Sequence, residues 1–344
     1  MKQKKRGLCG RFPEGGEHLA KKREFRFPSS DGKTVIYGTE WVPEEGRCRA
    51  VLQITHGMIE YRDRYRETAS FLADRGFAVA VCDQLGHGDS VISADMRGYF
   101  SDEPGCICLI RDMHQVRKQM EGRYPGLPCF MLGHSMGSFL TRCYMTKYGR
   151  GLSGVILAGT GGIPSWIAGA GLVLLRLMAA GQGWHAYSPL AEKTVFSGKY
   201  KKYDLSGKHP EDSWLTRDTA LAKEYYGDPR SQFGFSLNGF YGLVDAVYYA
   251  NDRLLMKQIP ETLPVLLLSG GEDPLGDFGR GTEKAAGWYR KAGIKNIECR
   301  IYPGARHEVL NEINRKQVYE DILGWCEQQI GPEKTKEKLE EAGE

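Results

Sequence analysis

The sequence lacks an excess of charge of either sign. Its 344 residues include 47 Lys and Arg against 43 Asp and Glu, which gives a formal net charge of +4. Nucleic-acid-binding domains usually have a pI above ~9 and a stripe of basic residues, so we expect no nucleic-acid partner. Because 41% of the residues are hydrophobic and the charges are nearly balanced, the composition also excludes a disordered chain.

A secretory leader is missing too. The basic start, Met1–Arg6, is not followed by an apolar segment, so the sequence predicts no signal peptide. Nine cysteines are an odd number in a long chain, and they are typical of reduced thiols rather than of a disulfide framework. We therefore expect a cytoplasmic protein.

The spacing of metal ligands is also absent. Cys106 and Cys108 form a C-x-C, but no second ligand pair of the kind that zinc sites use accompanies it. The sequence therefore predicts no metal site, and nothing in it predicts a cofactor.

Glycine is present in excess. The 44 glycines are about 13% of the chain against the ~7% of average usage, and they follow no repeating period. Such a composition predicts many tight turns or close backbone approaches. The length exceeds the ~100–200 residues of a usual domain but is short for two, so we expect one large α/β domain or a domain that carries an insertion.

Strand and helix patterns alternate along much of the chain. A hairpin around Asp31-Gly32 is followed by buried apolar runs typical of parallel strands: residues 49–55, 77–82, 127–132, 154–158, 263–268 and 297–302. Segments with helical spacing separate them: residues 65–75, part of 103–124, 136–148, 281–291 and 312–329. This alternation predicts a mostly parallel central sheet flanked by helices.

The alternation fails in one long segment, which sets the expected domain boundaries. Residues 159–259 are rich in aromatic residues and contain helix-like pieces but no buried strand pattern. We therefore expect a helical cap over 159–259, inserted into an α/β core of residues 23–158 and 260–330. A loose arm over 1–22 and a charged tail over 331–344 complete the prediction.

The most specific local motif is a G-x-S-x-G. Gly133-His134-Ser135-Met136-Gly137 follows one predicted strand directly and precedes a predicted helix. In that context the motif forms a sharp strand-to-helix turn, which exposes the Ser135 hydroxyl at the end of the sheet. The turn also places the Met136 N–H at a helix N-terminus, where it can stabilise a developing oxyanion.

A nucleophilic serine needs a base, and the base needs a carboxylate. In this fold the order along the chain is serine, acid, histidine. Asp273 and His307 each follow the end of a predicted strand in that order. Asp277 and, more weakly, Glu272 compete for the acid; we prefer Asp273 because it lies closer to the strand end than Asp277.

The second oxyanion donor should come from the loop after the strand of residues 49–55. That loop reads His56-Gly57-Met58, so the Met58 N–H is the candidate. Gly57 would let the backbone approach the substrate.

Together these motifs resemble a known family. HGMIEYRDRY, CDQLGHGDS, GHSMGS, LLLSGGEDPLGDFG and YPGARHEVLNE are similar to motifs of the α/β-hydrolase family that contains monoacylglycerol lipases and bacterial lysophospholipase-like enzymes, also described as serine aminopeptidase-like. The likeness runs from about Phe25 to Gln329. It implies an α/β-hydrolase fold with a cap, a Ser135, Asp273 and His307 triad, and oxyanion donors at Met58 and Met136.

Two positions depart from the pattern of the family. This chain has Tyr61 where many members have His, and Leu85 where many have Arg before Gly-His-Gly. Neither position belongs to the triad, so the departures bear on substrate preference rather than on activity.

The predicted cap indicates the substrate class. Residues 163–175 are uncharged up to Arg176, and the apolar span falls below the ~20 clean residues of a membrane-spanning helix. We interpret it as a cap helix over an apolar acyl tunnel, with Gly57, Trp166 and Leu172 contacting a lipid ester such as a monoacylglycerol or lysophospholipid. Transient contact of the cap with a membrane surface fits the same pattern. The oligomeric state stays open.

Two other functions remain. An aminopeptidase or amidase of this fold would need a cap carboxylate for the substrate ammonium group, and five are available: Glu192, Asp204, Asp212, Asp218 and Asp228. A ligand-binding homologue without catalysis is disfavoured, because the three triad residues are all present.

Overall fold

The molecule is built around a central sheet of eight strands, which lie in the order β1-β2-β4-β3-β5-β6-β7-β8. The computed structural model describes residues 20–44, 47–196 and 198–331. Its strands are β1 Lys21–Pro28, β2 Val35–Val42, β3 Ala50–Thr55, β4 Phe77–Cys82, β5 Cys129–His134, β6 Gly154–Ala158, β7 Val265–Gly270 and β8 Ile297–Tyr302. β1 pairs with β2 and β2 with β4 in antiparallel fashion, and every other pair in the sheet is parallel.

Helices cover both faces of the sheet. Their bounds are α1 Arg66–Ala73, α2 Ile107–Arg123, α3 Met136–Tyr148, α4 Ser165–Gln182, α5 Pro189–Val195, α6 Thr219–Gly227, α7 Leu237–Ala250, α8 Arg253–Met256, α9 Arg280–Lys291 and α10 Arg315–Ile330. α1 and α10 pack in one buried cluster, while α2, α3 and α9 pack in another on the opposite face. The predicted α/β-hydrolase architecture, a mostly parallel sheet between helical layers, is confirmed.

The main differences from the predicted elements have a simple cause. Two strands were expected to begin at Leu127 and Leu263, but they begin at Cys129 and Val265, just after a proline in each case. Proline has no N–H to donate to the sheet, so the ladder starts beyond it. At the N-terminus, Lys21 and Lys22 already belong to β1, so the predicted arm of residues 1–22 is two residues too long there. The rest of that arm, and residues 332–344 of the predicted tail, lie outside the described residues.

The segment between β6 and β7 contains α4 to α8, and no sheet strand lies in its described residues. α4 packs on α7, and α7 packs on α3 of the core. α7 therefore joins the cap to the sheet domain, just behind the helix that follows the G-x-S-x-G motif.

A buried arginine ties both ends of this segment to the core. Arg142 on α3 is 1% exposed, and among the described residues no carboxylate forms an ion pair with it. Its guanidinium donates to Gly161 O at 2.9 Å near the start of the segment, and to Ala250 O at 2.9 Å and Asn251 Oδ1 at 2.8 Å near its end. It also donates to the Tyr289 hydroxyl at 2.8 Å. Neutral dipoles thus satisfy a buried cation at the base of the cap.

We expect Arg142→Met to destabilise the protein strongly. The substitution keeps an unbranched side chain but leaves several buried acceptors without a donor, which costs on the order of 3 kcal/mol in the free energy of unfolding. Arg290→Met is the matched control, because Arg290 is exposed and, within the described ranges, its side chain donates a single hydrogen bond, to Ile297 O at 3.2 Å. Urea denaturation of the two variants measures the difference. Equal effects would contradict the role given to Arg142.

Candidate active site

Ser135 lies on a strained turn between β5 and α3. Its backbone has φ +52° and ψ −120°, a conformation that residues other than glycine rarely adopt. The flanking glycines allow the turn: a Cβ on Gly133 would lie 2.3 Å from Gly137 O, and a Cβ on Gly137 would lie 2.1 Å from Thr55 O. The sequence therefore builds a turn that presents a half-buried serine at the carboxyl end of the sheet.

The structure brings His307 together with Asp273. His307 Nδ1 is 3.0 Å from Asp273 Oδ1, and the two residues are 1% and 0% exposed. The Leu275 N–H donates to the same carboxylate oxygen at 2.9 Å. We assign the Nδ1–H tautomer to His307, because a buried carboxylate accepts from it. His307 Nε2, which has no hydrogen-bond partner among the described residues, is then a free acceptor.

The competing acids lie elsewhere. Asp277 has ion pairs with Lys199 at 2.5 Å and Arg280 at 3.1 Å, and its carboxylate is turned to the surface. Glu272 pairs with Lys202 at 2.5 Å. Of the three candidates, only Asp273 contacts the histidine.

Trp214 is a neighbour of the histidine that sequence reasoning missed. Its ring stacks on the His307 ring with centroids 4.6 Å apart and an interplanar angle of 27°. The backbone N–H of His307 also donates to the backbone carbonyl oxygen of Trp214 at 3.3 Å. The sequence signal for an aromatic neighbour is the high aromatic content of residues 159–259, and this content does not distinguish Trp214 from the other aromatic residues there.

Ser135 and His307 both line a cavity of about 270 Å³. Its walls are mainly apolar, and α4 and α7 supply much of them through Ile167, Ala168, Gly171, Leu243, Val244 and Val247. A pocket of this kind, with a few polar groups at the reacting atoms, is typical of sites for small apolar ligands.

The two candidate oxyanion donors border this cavity. Met58 and Met136 are both lining residues, on the loop after β3 and at the start of α3. Gly57 is not a lining residue; a Cβ there would lie 2.9 Å from the Ser135 Cβ. The absence of a side chain at Gly57 thus allows the loop of Met58 to approach the serine closely.

Two of the predicted substrate contacts, Trp166 and Leu172, do not border the cavity. Trp166 is 75% exposed. On α4 the lining residues are instead Ile167, Ala168 and Gly171. Because α4 is apolar on most of its surface, its hydrophobic pattern does not show which face meets the cavity.

A buried charged cluster lies beside the serine, and the motif search did not identify it. Glu60 and Glu308 are 3% and 1% exposed, and Arg64 lies between them, with its Nη2 2.6 Å from Glu308 Oε2 and its Nε 3.7 Å from Glu60 Oε1. His134 Nδ1 is 3.2 Å from Glu60 Oε2. Burial alone would raise the pKa of Glu60, but the adjacent His134 and Arg64 hold it well below its usual value. Burial alone would lower the pKa of His134, but the adjacent Glu60 charge outweighs it, so the pKa of His134 is raised above its usual value.

Within the described ranges, no group of three or more His, Cys, Asp or Glu side chains is placed to hold a metal ion. A serine and a histidine border the cavity, and an acid contacts the histidine.

Known proteins resemble this chain over most of its length. The family model described as serine aminopeptidase, S33 matches residues 46–314. The chain is 27% identical to the monoglyceride lipase of Homo sapiens, over 87% of this chain and 89% of that one. It is 24% identical to the monoacylglycerol lipase of Mycolicibacterium smegmatis, over 88% and 96% of the two chains.

A solved structure agrees with the fold. The carboxyl esterase from Bacillus coagulans, determined in complex with glycerol, superposes with a TM-score of 0.82 at 29% identity, over 90% of this chain and 99% of that one. Since the family model covers well over half of the chain, the resemblance drawn from the motifs is confirmed: the chain belongs to the serine aminopeptidase S33 family of α/β-hydrolases.

Proposed function

We propose that the protein hydrolyses carboxylic esters of lipid type, such as monoacylglycerols or lysophospholipids, through an acyl-enzyme on Ser135. The observation that carries the proposal is the Asp273–His307 pair, whose histidine lines an apolar cavity together with a serine on a strained turn. Relatives named monoglyceride lipase, together with the phospholipase YtpA of Bacillus subtilis at 23% identity, support a lipid ester as the substrate.

The roles of the residues follow from their positions. His307 Nε2 takes the proton of Ser135 as its oxygen attacks the acyl carbonyl carbon, while Asp273 orients the imidazole and stabilises its cation. The N–H groups of Met58 and Met136 hold the oxyanion of the tetrahedral intermediate, each contributing about 2.7–4 kcal/mol to transition-state stabilisation. His307 then returns the proton to the leaving alcohol, and water releases the acyl group by the same steps.

The charges at the cavity favour an ester over a peptide. An aminopeptidase needs an unpaired carboxylate to hold the substrate ammonium group. Among the described residues, the acids that line the cavity are Glu60 and Glu308, and Arg64 forms an ion pair with each of them. None of the cap acids considered for this role lines the cavity: Glu192, Asp204, Asp212, Asp218 and Asp228.

Asp273→Asn should reduce kcat by about 10⁴-fold, because the amide favours the wrong histidine tautomer. Asp277→Asn is the matched control from the same loop and should leave kcat within about 2-fold, since Asp277 contacts only surface cations. Steady-state hydrolysis of p-nitrophenyl esters measures both, and labelling by a fluorophosphonate, lost in Ser135→Ala, identifies the nucleophile. The reverse order of the two Asn variants would reassign the acid.

Val244→Phe should shorten the acyl chain that the enzyme accepts. Val244 lines the cavity where α7 packs on α4, and a Cβ on Gly171 would lie 3.3 Å from Val244 Cγ1. The phenyl ring would fill space that about two methylenes of the acyl chain need. The kcat/KM for p-nitrophenyl decanoate should therefore fall about 10-fold or more, while kcat/KM for p-nitrophenyl acetate should change little.

Val35→Phe is the control for this change, because Val35 on β2 is 39% exposed, lies outside the cap and does not line the cavity. An equal fall for both esters would contradict acyl binding here. The same assays include leucine p-nitroanilide, and a preference for it over the esters would favour the aminopeptidase.

The outer face of α4 supports a contact with membrane lipid. Trp166, Val173 and Leu177 are 75%, 61% and 69% exposed on it. This segment was expected to fall below the length of a membrane-spanning helix, but among the described residues α4 is long and apolar enough to cross a membrane by length and composition, and 17% of it is buried. The inner side of α4 is buried through Ala168, Leu175 and Ala179. We therefore propose that the outer face of α4 contacts the lipid surface.

Leu177→Ser should weaken binding to phosphatidylcholine vesicles about 10-fold, because full burial of a leucine contributes roughly 1.5–3 kcal/mol. Ile313→Ser is the control, since Ile313 is 60% exposed outside the cap. Co-sedimentation with vesicles measures both variants. Equal losses, or no binding by the unmodified protein, would exclude a contact through α4.

A further inference from the structure

One carboxylate oxygen joins the two loops that carry the candidate oxyanion donors. Glu60 Oε2 accepts from the Gly57 N–H at 2.5 Å and lies 3.2 Å from His134 Nδ1. Gly57 directly precedes Met58, and His134 directly precedes Ser135. The Tyr65 hydroxyl donates to the same oxygen at 2.7 Å.

The backbone is strained to make this arrangement. Ile59 has φ +58°, which is a genuine outlier for a β-branched residue. This residue turns the chain so that the side chain of Glu60 folds back onto the N–H of Gly57, three positions earlier. Strain of this kind persists only where the surroundings enforce it, and the three donors to Glu60 do so.

The contact is also sterically tight. A Cβ on Gly57 would lie 2.9 Å from Glu60 Oε2 and 2.9 Å from the Ser135 Cβ. The loop of Met58 is therefore held between the glutamate and the serine. A shift of Glu60 would move the Met58 N–H relative to the reacting carbonyl group.

We propose that Glu60 is a positioning residue of the oxyanion hole, which fixes the Met58 N–H relative to Ser135 by binding Gly57 and His134 together. The inference rests on the proposed esterase function and adds a residue to it. Glu60 acts through the two loops, so its removal should impair the transition state more than the binding of the acyl chain.

Glu60→Gln tests this with almost no change of shape. The amide oxygen can still accept from the donors at the Oε2 position, but the negative charge that strengthens these bonds is lost and the NH₂ group then faces Arg64, so the common anchor of the two loops is weakened. We expect kcat to fall about 10- to 100-fold, as for other residues that orient catalytic groups, with KM within about 3-fold.

A trifluoromethyl ketone with an acyl tail provides a readout that a merely structural role would not move. Ser135 Oγ adds to its carbonyl carbon, the serine proton passes to His307, and the carbonyl oxygen becomes an oxyanion in the hole. Its affinity should therefore fall in parallel with kcat/KM, while the affinity of a fatty alcohol, which forms no oxyanion, should not change.

Glu40→Gln is the matched control. Glu40 on β2 is 0% exposed and accepts from the Tyr124 hydroxyl at 2.5 Å, so it is also a buried, bonded carboxylate, but it does not line the cavity. This variant should lower the unfolding temperature without changing kcat or ketone affinity.

The outcomes separate clearly. A kcat for Glu60→Gln within about 3-fold of the unmodified enzyme, a loss confined to KM, or an equal loss in Glu40→Gln would overturn the inference. If Glu60→Gln does not fold, Tyr65→Phe removes one donor and keeps the carboxylate; it should lower kcat and ketone affinity together, and unchanged values would also overturn the inference. Absence of ester hydrolysis by the unmodified protein would instead remove the proposed function itself.

Discussion

The close approach of α3 to the end of β3 is the constraint on which the candidate site depends. Only a glycine fits at position 137, because a Cβ there would lie 2.1 Å from Thr55 O. The strand pairs Thr55–Gly133 and His134–Ala158 hold both sides of the turn in the middle of the sheet. The sheet thus stabilises the strained Ser135, and the same contact brings the loop of Met58 within reach of the serine.

Buried charges around this turn have dipolar or oppositely charged partners nearby, and the cavity beside them is mainly apolar. Arg142 is surrounded by neutral acceptors, whereas Glu60 and Glu308 share Arg64. An isolated buried charge would be costly and would attract water or counterions. The Nε2 atom of His307, which has no hydrogen-bond partner among the described residues, belongs to a residue that borders this cavity together with the serine.

The sequence predicts the parts of the site that depend on local motifs. Strand ends, glycine spacing and chain order suffice to place Ser135, Asp273 and His307 at one edge of the sheet. Trp214 could not be found in this way, because it meets His307 from a segment distant along the chain, and neither could Glu60, because its contact with His134 joins two loops that are far apart in sequence. Trp166 shows another limit: a helix that is apolar on most of its surface does not show from its pattern which face is covered.

Tyr61 shows how the departure from the family pattern acts. It was expected to affect substrate preference, but it does not line the cavity. Its hydroxyl donates to Asp228 Oδ2 at 2.5 Å, and the Arg230 guanidinium stacks on its ring at 3.8 Å, so it fastens the cap segment after α6 to the core. Burial raises the pKa of Tyr61 above its usual value, and the hydrogen bond to the Asp228 carboxylate raises it further. A histidine here would titrate near neutral pH, whereas the tyrosine stays uncharged, so this attachment of the cap keeps the same charge across the physiological range.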